Sequence, residues 1–135
     1  MDSNRVLAAI SGGVDSSVAA LLAGREGLQV EGLTLLLPRT AVQDAAAVCA
    51  ALQIPHHVAD LGDAFERCVV GPFVDDHLSG HTPNPCVLCN PEVKFPALLQ
   101  WADRLGCGRI VTGHYARIEQ AEDGPALLRG RDVRK

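Results

Sequence analysis

The sequence predicts an α/β domain, a doubly wound and mostly parallel sheet with helices on both faces. Three observations predict it. Short apolar runs alternate with helix-patterned segments through most of the chain, an order that builds parallel strands joined by right-handed crossovers. Hydrophobic residues make up 47% of the 135, yet only five are aromatic. Ala, Val and Leu must therefore fill the core, which suits small helices lying close on a sheet. Finally, the segments without periodicity follow strands, at the edge where such sheets bind ligands.

Arg5 to Ile10 reads as a short buried strand ending at Ser11-Gly12-Gly13. Asp15 to about Arg25 is small and apolar along a helix, with Val14, Val18, Leu21 and Leu22 at helical spacing. Gly24 and Gly27 end it. Gln29 to Leu37 is a second strand, stopped by Pro38. Ala41 to Leu52 is an Ala-rich helix, and His56 to Asp60 after Pro55 is a third short strand. Ala64 to Leu78 is a helix interrupted near Gly71-Pro72. The stretch HTPNPCVLCNPEVKF, 81–95, has three prolines and no period. It reads as a long loop, which in a compact domain is usually functional. Glu92 to Leu105 is helical, with Pro91 suited to its first turn. Arg109 to Thr112 is a fourth strand, and 115–130 is a hairpin around Asp123-Gly124.

Twelve basic residues against sixteen acidic ones give a net charge of −4. Nucleic-acid modules are usually basic, because binding gains from counterion release. The domain has no global footprint of that kind; the local exception is the tail from Arg129 to Lys135, four basic residues against Asp132. No apolar run is long enough to cross a bilayer, and the start MDSNRVLAAI does not read as a signal peptide. A cytoplasmic protein with no membrane partner is expected, its five cysteines mostly reduced. The odd count argues against a pure disulfide framework.

SGGVDSS, Ser11 to Ser17, joins a strand to a helix. Gly12 and Gly13 let backbone approach a ligand without a Cβ in the way, and the helix points free N–H groups and its positive end at the same place. Ser11, Ser16 and Ser17 add hydroxyl donors. This is an anion cradle for phosphates, but neither a Walker A loop nor a dinucleotide fingerprint, whose residues it lacks. Asp15 beside phosphates calls either for a Mg2+ ion between them or for a plain capping role.

The loop resembles the PP-loop of the ATP pyrophosphatases, which hold a triphosphate and release pyrophosphate as they adenylate a substrate. Thr82 to Asn90, TPNPCVLCN, with Val93-Lys94-Phe95 and TGHYAR at 112–117, narrows the resemblance to the tRNA-specific 2-thiouridylases. VEGLTL at 30–35 and AVCAALQIPHHVAD at 47–60 extend it in order along the chain. The resemblance implies that ATP activates the C2 oxygen of a tRNA wobble uridine as an adenylate, and that a cysteine-borne sulfur then displaces AMP. It implies ATP and Mg2+ as cofactors. It also implies tRNA and a sulfur carrier, or a persulfide derived from a cysteine desulfurase, as partners.

Carried over by position, Ala9, Ile10, Ser11, Gly12, Gly13, Val14, Asp15 and Ser16 line the ATP phosphates, and Asp15 is the candidate Mg2+ ligand. Leu35 touches adenine through its backbone, and Gly113 lets the fourth strand's end approach the nucleotide. Asn84, Pro85 and Cys86 flank the target base; Lys94, by its match to the family's Lys-Phe pair, is assigned to the tRNA side, with a phosphate contact or a plain helix-surface position as the alternatives; Cys89 matches the family nucleophile, with Cys86 beside it. Two residues depart from the pattern. Many members have Asp at Cys86, so this chain carries a full CxxC, which can hold a metal or an iron–sulfur cluster or cycle as a dithiol. Pro91 replaces a residue usually polar. The family continues past this chain's end with an Asp-Gln-Ser motif, a second reactive cysteine, an RNA-binding middle domain and a β-barrel. The expectation is one ATP-binding domain over 1–135, a fragment, a truncated gene product or half of a split enzyme, unable to complete sulfur transfer alone.

Plainer readings stand beside these. Cys49, Cys68 and Cys107 suit a core, where free cysteine behaves as a small hydrophobe. His114 is either an ATP contact or a structural histidine, and His56, His57, His77 and His81 show no ligand spacing. Arg117 and the tail arginines are RNA contacts or solvated charges. The alternatives in function are another PP-loop enzyme, such as a queuosine-precursor synthase, or an inactive nucleotide-binding remnant. The oligomeric state is not legible.

Overall fold

A computed structural model describes residues 2–38 and 40–132. Four strands, β1 (Asp2–Ala9), β2 (Gln29–Leu36), β3 (His56–Asp60) and β4 (Cys107–Val111), form one parallel sheet in the order β3-β2-β1-β4. Helices α1 (Val14–Arg25) and α2 (Val42–Leu52) carry the chain outward from β1 to β3. It then returns across the sheet to β4 through two long helical stretches. The first is α3 (Gly62–Phe65), a π turn (Glu66–Val70) and α4 (Gly71–Leu78). The second is α5 (Pro85–Cys89), a π turn (Asn90–Lys94) and α6 (Phe95–Leu105). Reversing direction while keeping right-handed crossovers puts the later helices on the opposite face. The doubly wound α/β expectation holds, and its switch point lies between β1 and β4. A hairpin, β5 (Arg117–Ala121) with β6 (Gly124–Leu128), forms a separate antiparallel pair. Positions 133–135 of the basic tail lie outside the described residues.

Alternation along β1 feeds a core on each face. Val6, Ala8 and Ile10 pack with Ala20 and Ala23 of α1 and with Ala45 and Cys49 of α2. Leu7 packs the other way, with Leu33, Leu98, Ala102 and Cys107. The face of α1 that is buried consists of Ser16, Ala20 and Ala23. The larger Val14, Val18 and Leu22 point outward, Val14 being 76% exposed. Small residues win the inner face because they let the helix axis lie close to the strands.

The segment 81–95 differs from its expected loop. Helix begins at Pro85, with the Asn84 side chain accepting from the Cys86 amide (3.2 Å), an N-cap followed by proline at the first helical position. The later prolines do not break the helical path, because the backbone widens. Each π turn ends just before an X-Pro pair, Gly71-Pro72 and Phe95-Pro96, and in each the X amide reaches back to the turn's first carbonyl, Glu66 or Asn90. A wider turn relieves the clash between a proline ring and the carbonyl four residues before it.

At the far end of the strands from the ligand edge, Glu31 is buried. It accepts from Arg5 Nη2 at 2.6 Å and from His57 Nε2 at 2.9 Å. Burial pushes its carboxyl up, but the hydrogen bonds from His57 and Arg5 outweigh this and leave it below the usual carboxylate value.

Candidate functional site

The segment between β1 and α1 is shaped by serine. Ser16 Oγ–H donates to Gly13 O (3.1 Å) and accepts from the Ser11 amide (3.2 Å). Its single hydrogen being used, the 3.1 Å contact between hydroxyls is Ser11 Oγ–H donating to Ser16 Oγ. Ser17 Oγ–H also donates to Gly13 O (2.8 Å). The three hydroxyls thus fold the turn, and the groups left for a ligand are the amides opening α1, which have no intrahelical acceptor. The two glycines are not equivalent. Gly12 has φ +84°, and a Cβ there would sit 2.9 Å from Asp44 Cβ; Gly13 has ordinary extended geometry.

This turn opens on a cavity of about 520 Å3 past the carboxyl ends of β1, β2 and β4. Ala9, Ile10, Ser11, Ser16, Leu35 and Gly113 line it. From across the sheet, the second π turn and the start of α6 bring Asn90, Lys94 and Phe95. Gly12, Gly13, Val14 and Asp15 are not in its lining; Asp15 lines a neighbouring hollow of about 240 Å3 with Val18 and Tyr115. His114 lies between the two. Tyr115 Oη–H donates to Asp15 Oδ1 at 2.7 Å. Gly113 packs on backbone, since a Cβ there would stand 2.6 Å from the Asp15 carbonyl carbon.

The cysteine segment is placed differently. Asn84 and Cys86 are exposed, Pro85 is half-buried, and none of the three lines the main cavity. Cys89 is 4% exposed in an apolar cluster with Val69 and Val93, against which Cys68 packs. Burial pushes the thiols of Cys49 and Cys107 up, consistent with a core role. Among the described residues no three His, Cys, Asp or Glu side chains come together to hold a metal. Sequence reasoning passed over Thr40, Asn90, Phe95 and Thr112 as cavity residues. Asn90 and Thr112 end or begin quoted motifs, whereas nothing local marks Thr40.

Residues 4–135 match the family described as the tRNA methyl transferase HUP domain. The chain belongs to that family. Among HUP-domain relatives, the tRNA-specific 2-thiouridylase MnmA of Acidithiobacillus ferrooxidans is 47% identical over 142 residues, covering 100% of this chain and 40% of that protein. The protein of the same name from a Synechococcus strain is 45% identical, covering 98% of this chain and 36% of its own length. The chain therefore spans about two fifths of the length of these curated relatives. Among solved structures, NMN synthetase from Francisella tularensis superposes with a TM-score of 0.50 at 27% identity, over 74% of this chain and 41% of that one. No helix among the described residues is long and apolar enough to cross a membrane.

Proposed function

We propose that this HUP domain is the nucleotide-activating part of a tRNA 2-thiouridylase. It binds ATP with Mg2+ and transfers AMP to the C2 oxygen of a tRNA uridine, releasing pyrophosphate. A cysteine persulfide, supplied by a sulfur carrier or a cysteine desulfurase, then attacks C2 as AMP leaves with the oxygen; a second cysteine thiolate cleaves the S–S bond, leaving sulfur on C2 and a disulfide that an external thiol reduces. The single observation that carries this reading is the cavity shared by the serine-folded turn and Lys94. Ser11 and Ser16, at the N-terminal end of α1, line it on one wall and Lys94 on another, which puts a helix's positive end and an ammonium beside one space, a setting for the charge of a triphosphate.

The residues present suit ATP. Ser11 and Ser16 would hold the phosphates, and the base would lie toward Leu35. Asp15, which lines the hollow beside the main cavity, would hold Mg2+ through a carboxylate oxygen, a hard ligand that suits this ion. Cys86 is a free thiol exposed on α5, open to a sulfur donor. Cys89 needs α5 to shift before its thiol reaches solvent. An iron–sulfur centre on this pair would draw its further ligands from outside the described residues. The tRNA partner and the sulfur chemistry rest on the relatives' names together with the CxxC.

Calorimetric and thermal-shift titration of the chain with ATP–Mg2+ tests the reading. Saturating nucleotide, at a hundred times its Kd, is expected to stabilise the fold by about 2.7 kcal/mol. Gly12→Val should remove that stabilisation. A wild-type chain that folds and shows no shift overturns the reading.

A further inference from the structure

We propose that Thr34, held by His56, is a positioning residue that parts β1 from β2 and leaves the Leu35 amide to receive a base. In a parallel ladder each residue turns its N–H and C=O toward the same neighbour. Gly32 N–H donates to Pro55 O (2.9 Å) and Leu61 N–H to Leu36 O (3.1 Å). Gly32, Thr34 and Leu36 therefore face β3, and Leu33 and Leu35 face β1. Ile10 N–H donates to Leu33 O at 2.8 Å. The next rung would run from Leu35 N–H to Ile10 O.

That rung is not made. Pairing of β1 with β2 ends at Ala9 and Leu33, and Ile10 O accepts Thr34 Oγ1–H at 2.9 Å instead. Thr34 is fully buried. Its one hydroxyl hydrogen goes to Ile10, so His56 Nε2, 2.8 Å away, is the donor to Thr34 Oγ1. This fixes the histidine tautomer and aims the hydroxyl. Thr40 Oγ1–H occupies Leu35 O at 3.2 Å while accepting from Leu37 N–H at 2.9 Å. Of Leu35's two backbone groups, the amide remains; it points toward β1 where the two strands part, beside the cavity that Ile10, Leu35 and Leu37 line. A flat heteroaromatic base with an acceptor nitrogen on its edge fits it. Adenine presents such an acceptor, whereas the corresponding guanine nitrogen carries a hydrogen. The base-receiving half of the proposal rests on the nucleotide reading above; the strand-parting half does not.

Thr34→Val keeps the shape and removes the hydroxyl. It frees Ile10 O and leaves Leu35 N–H opposite it, so the missing rung should close. Amide hydrogen exchange of the 135-residue chain is expected to show Leu35 unprotected in the wild type and at least about tenfold slower in Thr34→Val. In Thr34→Val, ATP affinity should fall about tenfold, a cost typical of one lost hydrogen bond, and the preference for ATP over GTP should shrink. Tripolyphosphate affinity should change less than about twofold, since its hydrogen bonds go to the other wall. Thr34→Ser should behave as wild type, and His56→Phe should fall between. A wild-type Leu35 amide as protected as that of Leu33 overturns strand parting, whatever the ligand result. Unchanged ATP preference in a Thr34→Val chain with a closed rung overturns the base-receiving half. A wild type that binds no ATP overturns the nucleotide reading and leaves strand parting to be decided by exchange alone.

Discussion

Gly113 illustrates how a single missing Cβ sets the site. The end of β4 meets the start of α1 backbone to backbone, with the virtual Cβ 2.6 Å from Asp15 C and 2.7 Å from Ser16 N. No flexible side chain can give way there. Gly113→Ala must push the opening turn of α1 off β4, an overpacking that costs about 1–3 kcal/mol. Because Ser16, one of the residues displaced, lines the cavity, ATP affinity is expected to fall at least about tenfold, in keeping with such a displacement. Calorimetry and thermal unfolding of the same variant check the two effects together. From sequence, Gly113 read as making room for a ligand; in the structure it lines the cavity and also lets another piece of backbone come close. The serines at 11, 16 and 17 behave in the same way. Their identity pointed to hydroxyl donors for an anion, and in the fold their hydroxyls bond within the turn and hold its shape.

At the scale of an element, the stretch α5, π turn and α6 decides which cysteine meets reagent. Asn84 caps the start, and the next turns carry Cys86 outward and Cys89 inward, three residues being close to one helical turn but offset enough to divide two environments. Limiting iodoacetamide followed by peptide mass spectrometry is expected to label Cys86 first. Cys89, Cys49 and Cys107 should react at least about tenfold more slowly, as buried thiols do. Equal labelling of Cys86 and Cys89 would show that α5 opens readily. The sequence marked this stretch by its prolines, and prolines ordinarily announce a loop. Widening into a π turn before Phe95-Pro96 is a backbone adjustment that no residue pattern declared, though the same pairing before Gly71-Pro72 shows a rule once seen. The elements themselves were legible where local cues dominate. The four parallel strands and the hairpin at Asp123-Gly124 lie within a few residues of their expected places, because apolar period and turn chemistry act over neighbours.

At the scale of the molecule, the two ends of the sheet do different work. One end gathers the turn, Leu35, Lys94 and Gly113 around a cavity. The other is tied by Arg5, Glu31 and His57, which join β1, β2 and β3. Glu31 lies below the ordinary carboxylate value in the fold. A depressed carboxyl contributes stability above its unfolded pKa, about 4.3, and loses it as pH falls through the folded value. Glu31→Gln is therefore expected to lower unfolding free energy by about 2 kcal/mol at pH 7, the scale of charged hydrogen bonds. The gap to wild type should narrow steadily below about pH 4, where the unfolded carboxyl protonates. Denaturant titrations from pH 7 to pH 3 check it; a gap independent of pH would refute the assignment.

Residue pattern alone was enough for the α/β class, the glycine turn at a strand's end and the family motifs, because these depend on contacts between near neighbours and on residue types that chemistry restricts. It took the folded chain to reveal that Lys94 shares a cavity with Ser11, that Cys89 is sealed behind Val69 and Val93, and that Thr34 takes the carbonyl of Ile10. Apart from Val93, those partners lie tens of residues apart. What joins them is the order of the strands and the face on which each crossover lands, a choice made by burying the whole sheet at once.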